Sequence, residues 1–200
     1  MITDPSPESW PVAGTDEHFK SRLISVRTDQ VRMPDGQEAA RTVVGHIGAV
    51  AVLPLDDQDR VLMIRHYRHP VGRQLWEIPS GLRDVTGEAL VETARRELLE
   101  ETGHAAPEWH VLVDSYSSPG ISGERTRIFL ARGVAAADSD YERKGEEKFL
   151  EIARVPLSEA VAAALAGNLH NGATIQGLLA GYIARSQGFA GLRPADAPEK

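Results

Sequence analysis

The sequence predicts an α/β (α+β) fold, with helices packed on a mixed β-sheet. Two observations lead to this prediction. Segments rich in Val and Ile, such as residues 40–55 and 60–67, are bounded by turn residues, as is typical of strands. After them the period changes, and Leu90, Ala94 and Leu98 recur at four-residue steps, which places them on one face of a helix. Strands followed by amphipathic helices favour a layered sandwich.

The remaining elements follow from the same two periodicities. Turns are predicted at Pro34-Asp35-Gly36 and at residues 56–59, and Gly103 is a natural C-terminal cap for the first helix. Strands are predicted over residues 20–33, 40–55, 60–67, 109–117, 126–132 and 149–155, and helices over residues 87–102, 156–166 and 173–186.

Composition divides the chain into one domain with short ends. Residues 1–17 are rich in Pro, Ser and acidic residues, which predicts a mobile N-terminal arm. Residues 18–45 form the N-terminal strand region, residues 46–190 form the main domain, and residues 191–200 are expected to be a flexible tail. No internal repeat is visible.

Charge and residue content exclude several classes of function. The net charge is −7, so long nucleic acids are not expected as partners, because their phosphates would be repelled. The 200 residues include no cysteine, which excludes disulfides, thiolate zinc sites and thiol nucleophiles and suits a cytoplasmic location. No secretory signal is visible at the N-terminus. The apolar run from Ile47 to Leu55 is far shorter than the roughly 20 residues of a membrane helix, so no membrane contact is expected.

The most informative residues lie on the first predicted helix. Glu97, Glu100 and Glu101 are three or four residues apart or adjacent, so they crowd one face and repel one another. A divalent cation would remove that repulsion, and carboxylate oxygens favour Mg²⁺ or Mn²⁺ over Zn²⁺. The plainer alternative is a solvated acidic face. Arg96 follows Glu88 by eight residues, two helical turns, and is expected to pair with it and with the nearby carboxylates.

The stretch from Gly81 to Gly103 resembles the Nudix box, in which a glycine loop precedes a glutamate and then Arg-Glu-aliphatic-x-Glu-Glu-x-Gly. Here six residues separate Gly81 from Glu88 where the box has five, and His104 stands where an aliphatic residue is usual. The extra residue falls in the loop and leaves the glutamate spacing intact. The resemblance implies an α/β/α sandwich and Mg²⁺-dependent hydrolysis of a diphosphate, with Mn²⁺ as the other candidate cation.

Segments outside the box are similar to the ADP-ribose pyrophosphatase subfamily, and the similarity extends over roughly residues 18–190. These segments are residues 41–50, 65–69, 75–81, 118–124 and 145–147. The resemblance implies a nucleoside diphosphate sugar as substrate, with ADP-ribose giving AMP and ribose 5-phosphate. It also implies a homodimer whose N-terminal strands exchange between subunits.

The same resemblance implies roles for individual residues. Glu97 and Glu101 would be the main metal ligands, with Glu100 nearby and the backbone carbonyl of Ser80 as another ligand. Glu147, or alternatively Glu146, would act as base or orient the attacking water, so that Glu147, Glu101 and Glu97 form the catalytic set. The substrate-binding residues would be Arg68, for a phosphate, and Trp76, Glu77, Glu124 and Arg65.

Plainer alternatives remain open at several positions. Glu146 and Glu147 could belong to a solvated charged loop, Trp76 to the core, and Arg65 and Arg68 to an ordinary surface. Two other functions also remain: a Nudix pyrophosphatase acting on GDP-mannose or a dinucleoside polyphosphate, and a non-catalytic nucleotide-sensing domain. Such sensors often lose glutamates of the box, and Glu97, Glu100 and Glu101 are all present here.

Overall fold

The computed structural model describes residues 2–4, 8–138, 141–143 and 145–199. The chain forms two compact units: the first contains the residues up to Ile47 and Ser118–Glu124, and the second contains Gly48–Ser117 and the residues from Arg125 onward. None of the helices in these described ranges is both long and apolar enough to cross a membrane.

The first unit is an antiparallel sheet of three strands, β1 (Val12–Lys20), β2 (Ile24–Arg32) and β3 (Glu38–His46), in the order β1-β2-β3. The predicted turn lies between β2 and β3, where Gly36 has a φ of 85°. The structure differs from the expected arm over residues 1–17, because β1 already begins at Val12. All nine residues of β1 are exposed. The strand is therefore held by backbone pairing with β2 and buries no apolar face. Hydrophobic periodicity in the sequence could not predict such a strand.

Among the described residues, the second unit contains ten further strands and three α-helices. The strands are β4 (Ala49–Leu55), β5 (Arg60–Arg68), β6 (Arg73–Glu77), β7 (Ser80–Leu82), β8 (His104–Ala105), β9 (Glu108–Tyr116), β10 (Arg125–Arg132), β11 (Ala135–Ala136), β12 (Glu151–Pro156) and β13 (Arg193–Pro194). The helices are α1 (Leu90–Thr102), α2 (Leu157–Leu165) and α3 (Gly172–Ser186).

Eight of these strands form one mixed sheet in the order β12-β5-β4-β10-β9-β13, with β6 paired to β5 and β7 paired to β4. The β4–β10 pair is parallel, and the other pairs are antiparallel. Alternate residues of β4 face opposite layers. Val50 and Val52 pack with Leu98 of α1, whereas Ala51 and Leu53 pack with α2 and α3. The predicted sandwich of helices on a mixed sheet is confirmed.

Two strand predictions needed correction. The expected strand over residues 40–55 is two strands, β3 and β4. Gly48 lies between them with a φ of 87°, a conformation that glycine adopts readily and that interrupts an extended strand. Strands β6 and β7 were not predicted, since Pro79 lies between them and neither is long enough to show a period of two.

The first helix also starts later than expected. It begins at Leu90 rather than at residue 87, since Gly87 has a φ of 81°. Gly103 ends it in the left-handed conformation, as predicted, and its N–H donates to the Leu99 carbonyl.

The described part of the C-terminal segment is docked, although a flexible tail was expected over residues 191–200. Arg193 and Pro194 pair with β9, and Ala195 and Ala197 pack against the core cluster that contains α1. Its composition suggested disorder because the segment has little apolar surface of its own. Its contacts are supplied by residues far away in sequence.

Candidate active site

Strand β7 and helix α1 form the centre of the candidate site, and a glycine lets them approach closely. A Cβ built on Gly81 would lie 2.0 Å from the carboxyl carbon of Glu97, far inside any possible contact distance. The Glu97 carboxylate therefore rests directly on the backbone of β7. Only glycine is compatible with this arrangement, which explains the glycine that opens the box.

Glu101 is the most buried acidic residue of helix α1, with 5 % of its surface exposed. The backbone N–H of Ser80 donates to its Oε2 over 2.9 Å. Burial raises the pKa of Glu101 to about 8, and the negative charge of Glu97 adds to the effect, while the Ser80 hydrogen bond opposes it. Burial also raises the pKa of Glu97, against the influence of Arg96. These two carboxylates are thus held together in a poorly solvated place, where positive charge would stabilise both.

Arg96 organises the acidic face, as the sequence predicted. Its Nη1 donates to Glu97 over 2.8 Å and to Glu100 over 3.1 Å, and its Nε and Nη2 donate to Glu88 over 3.3 Å each. Glu88 also accepts a hydrogen bond from the hydroxyl of buried Thr93. The bonds from Arg96 and Thr93 hold the pKa of Glu88 below its usual range. One guanidinium therefore fixes three glutamates of the box.

The loop carboxylate Glu147 lies within electrostatic reach of this face. Its charge contributes to the raised pKa of Glu97. The hydroxyl of Tyr141 donates to Glu147 Oε2 over 3.2 Å. Burial raises the pKa of Tyr141, and the charges of Glu100 and Glu147 raise it further. Glu147 is thus near enough to the helix to affect the pKa of Glu97, whereas the side chain of the alternative, Glu146, lies outside the described residues.

The residues around Glu101 fit a hard divalent cation such as Mg²⁺. The available donors are oxygens. Burial, with a further contribution from neighbouring negative charges, raises the pKa values of Glu97 and Glu101, so a cation would stabilise both carboxylates. In the described part of the chain, no three Asp, Glu or His side chains converge on one point. Glu100 instead accepts a bond from Arg96. A site here therefore needs a further oxygen, for which the Ser80 carbonyl remains the prediction.

Two of the predicted substrate residues bind each other. The guanidinium of Arg68 donates to both carboxylate oxygens of Glu77, with a shortest distance of 2.7 Å. Glu77 is 1 % exposed, whereas Arg68 is partly exposed. Glu77 therefore fixes the direction of Arg68. Direct contact of either residue with substrate stays a prediction.

A cavity of about 210 Å³ lies along the C-terminal part of β5. It is lined by Arg65, His66, Tyr67, Gln74, Phe149 and Leu150. Arg65 forms an ion pair with Glu151, and its guanidinium lies 5.8 Å from the centre of the Trp76 ring. Trp76 also packs against the core, so its placement agrees with the plainer alternative as well as with a nucleoside contact.

Glu124 belongs to the first unit, where its Oε1 lies 3.5 Å from Nδ1 of His46. Both residues are partly buried. A metal or substrate contact of Glu124 stays a prediction.

Comparison with known proteins identifies the family. The NUDIX domain model matches residues 45–176. An ADP-ribose pyrophosphatase of Mycobacterium tuberculosis is 44 % identical over 174 residues, which is 87 % of this chain and 83 % of that protein. The chain belongs to the Nudix family. The match covers the box and the strands on either side of it, so the Nudix resemblance of the sequence is confirmed and the protein is a Nudix hydrolase by family.

Two further similarities agree with this result. An ADP-ribose pyrophosphatase of Bacillus subtilis is 34 % identical over 146 residues, 73 % of this chain and 78 % of that protein. A solved structure described as an ADP compounds hydrolase superposes with a TM-score of 0.72, covering 92 % of this chain and 99 % of that one. Its sequence identity is 21 %, so this likeness supports the Nudix fold alone.

The structure also explains an unusual residue of this Nudix box. His104 replaces an aliphatic residue, and its ring bridges two elements: Nδ1 lies 2.8 Å from the Thr102 carbonyl, and Nε2 lies 2.8 Å from a guanidinium nitrogen of Arg154. The neutral ring can donate from Nδ1 and accept at Nε2, which satisfies both neighbours. Polar contacts thus replace the usual apolar packing.

Sequence reasoning missed two supporting residues: Thr93, at a position inside the Nudix box, and Tyr141, which lies outside the box and bonds the loop carboxylate Glu147. Thr93 is 1 % exposed on α1 and bonds Glu88, and its place one turn before Glu97 on the same helix was the available signal. Tyr141 had no sequence signal, because its position beside Glu147 depends on how the irregular loop before β12 folds.

Proposed function

We propose that this Nudix protein hydrolyses the pyrophosphate bond of a nucleoside diphosphate sugar, with ADP-ribose as the first candidate. The observation that supports it most is the pair of carboxylates, partly buried Glu97 and buried Glu101, held on the backbone of β7 at Gly81 and Ser80. Two relatives at 44 % and 34 % identity are named ADP-ribose pyrophosphatases, which supports the choice of substrate.

Glu97 and Glu101 would hold a divalent cation, Mg²⁺ before Mn²⁺, together with the Ser80 carbonyl and with Glu100 nearby. When bound, the cation would supply positive charge to the phosphoryl oxygens and assist ionisation of the water. The role of Arg96 is to keep three glutamates in place by hydrogen bonds to each of them. Because Glu101 must lose its proton to bind a cation, binding is expected to weaken as the pH falls below about 8.

Glu147 would take the proton of the attacking water. Water oxygen attacks one phosphorus atom in line, the bridging P–O bond breaks, and AMP and ribose 5-phosphate leave. A carboxylate is adequate as the base because the bound cation would lower the pKa of the attacking water. The hydroxyl of Tyr141 bonds Glu147 over 3.2 Å and would hold it in the required direction.

Arg68 would contact a phosphate, since buried Glu77 fixes its guanidinium while leaving it partly exposed. The nucleoside would be received by the cavity beside Arg65, where Tyr67 and Phe149 offer exposed aromatic surface. Glu124 is the remaining candidate for a contact. The homodimer with exchanged strands and the cytoplasmic location stay predictions, and sedimentation at micromolar concentration tests the first of them.

The decisive experiment measures AMP release from ADP-ribose with Mg²⁺, beside GDP-mannose, NADH and diadenosine polyphosphates, with Glu101→Gln as control. We expect ADP-ribose to have the highest kcat/KM and chelator to abolish its turnover. A different leading diphosphate would refute the substrate but leave the metal chemistry standing. Nucleotide binding without any turnover would refute the hydrolase and favour the nucleotide sensor.

A further inference from the structure

The C-terminal segment Arg193–Glu199, called here the C-terminal strap, crosses from strand β9 to the loop that follows β7. Three kinds of contact hold it in place. Arg193 and Pro194 pair with β9, Ala195 and Ala197 pack on the core beside α1, and Arg127 Nη1 donates to the Ala197 carbonyl over 2.6 Å. The strap is thus an ordered part of the second unit.

A charge cluster around buried Arg127 anchors the strap at its first residue, Arg193, and at Ala197. Arg127 is 3 % exposed, and it donates to both carboxylate oxygens of Asp114 over 2.7 and 3.0 Å. Arg193 of the strap donates to the same carboxylate over 2.9 Å. These bonds hold the pKa of Asp114 below its usual range, although burial alone would raise it. A buried arginine paired in this way is costly to disturb, so the anchor is rigid.

The far end of the strap binds the loop of the Nudix box. Glu199 accepts hydrogen bonds from both terminal nitrogens of Arg83, each over 3.1 Å. Arg83 lies across the start of β4, where a Cβ on Gly48 would be 2.9 Å from its Cδ. Its backbone N–H donates to the Gly48 carbonyl over 3.2 Å. Arg83 is therefore held between the sheet and the strap.

The position of Arg83 connects the strap to the acidic helix. Asp84, the next residue, lies 4.0 Å from Arg96 Nη2. Gly81, two residues earlier, supports the Glu97 carboxylate. A shift of the loop at Arg83 would therefore move both the support of Glu97 and the surroundings of Arg96.

We propose that Glu199 and Arg83 are positioning residues for the metal site, and that the C-terminal strap sets the affinity of the chain for its divalent cation. The inference rests on the metal site of the proposed function and is independent of the substrate. Residues outside the ligand set that orient metal ligands typically change affinity by about 10- to 100-fold. Glu199 and Arg83 act on the metal ligands only through the loop of the Nudix box, so we expect a smaller effect from either residue, of about 3- to 10-fold.

The test measures the thermal unfolding midpoint of the full chain against the concentration of Mg²⁺ alone. The variants are Glu199→Gln, Arg83→Gln and the double variant, and the midpoint without Mg²⁺ reports any purely structural loss. Arg185→Gln is the matched control, because Arg185 forms an ion pair with Asp59 over 2.7 Å, a pair that does not involve the box loop.

We expect each single variant to need about 3- to 10-fold more Mg²⁺ for half of the stabilisation, and the control to match the wild type. The double variant should be no worse than either single one, because both remove the same contact. Unchanged Mg²⁺ dependence in Glu199→Gln and Arg83→Gln, or losses that multiply in the double variant, would overturn the inference. No Mg²⁺ effect on the wild type would overturn the metal site itself, whereas Mg²⁺ binding without ADP-ribose turnover would count only against the proposed substrate.

Discussion

Replacement of Gly81 by alanine tests the close approach of β7 and α1. The new Cβ would lie 2.0 Å from the Glu97 carboxyl carbon, and ordinary contact begins at 3.4 Å. To reach that distance the carboxylate must retreat by about 3.4 − 2.0 = 1.4 Å. Metal–oxygen distances tolerate only about 0.2 Å of error, so Glu97 could no longer be a ligand in its present position.

Such a displacement is large on the scale of catalysis. A misplacement of about 1 Å can cost a factor of roughly 100 in rate. We expect Gly81→Ala to lower turnover of ADP-ribose by about 100-fold or more and to weaken Mg²⁺ binding, while circular dichroism remains that of the wild type. The assay is AMP release across a Mg²⁺ titration.

Gly172→Ala is the matched control, because Gly172 lies in the first turn of α3 and a Cβ there meets nothing within 4 Å. It should behave as the wild type. Wild-type turnover and Mg²⁺ affinity in Gly81→Ala would refute the reasoning, since they would mean that Glu97 does not act from this position.

Three other predictions concern the acidic residues. Glu101→Gln should reduce turnover by about 100-fold or more at saturating Mg²⁺, and wild-type rates would refute its role as a ligand. Glu147→Gln should reduce turnover by about 100-fold while leaving the Mg²⁺ titration of the melting midpoint unchanged, and a parallel loss of Mg²⁺ binding would contradict its role as base. In metal-free protein, the pKa of Glu101 is raised to about 8, mainly by burial, from its ordinary 4.5. Its proton therefore stabilises the fold fully below about pH 4.5, and that contribution is lost as the pH rises through about 8. Denaturant unfolding should show the free energy of unfolding falling by on the order of 4 kcal/mol between about pH 5 and pH 9, and an equal fall in Glu101→Gln would show that another group is responsible.

The order of the elements could be predicted because hydrophobic periodicity is local. The step of four in α1 and the apolar run of β5 exist in any conformation of the chain. The strands that were not predicted are explained by the same fact. β1 buries nothing and β7 has three residues, so both depend on pairing with distant strands that local pattern cannot register.

In the candidate site, too, some features could be predicted from local spacing and others could not. The spacing of Glu97, Glu100 and Glu101 required that they share a helix face, and the distance from Glu88 to Arg96 required that these two could meet. The spacing could not predict that Glu100 and Glu101 lie in different environments. Glu101 is buried against Ser80, whereas Glu100 is held by Arg96, and only the packing of α1 on β7 makes that difference.

By itself, the sequence determined the fold class, the family and the residues of the acidic helix, since each depends on residue type and short-range spacing. The tertiary structure alone decided that Gly81 supports Glu97, that Glu77 holds Arg68, and that the expected tail is a strap bound to Arg83. These are contacts between groups on different elements. Their existence depends on the sheet order and on side-chain packing, which no local pattern contains.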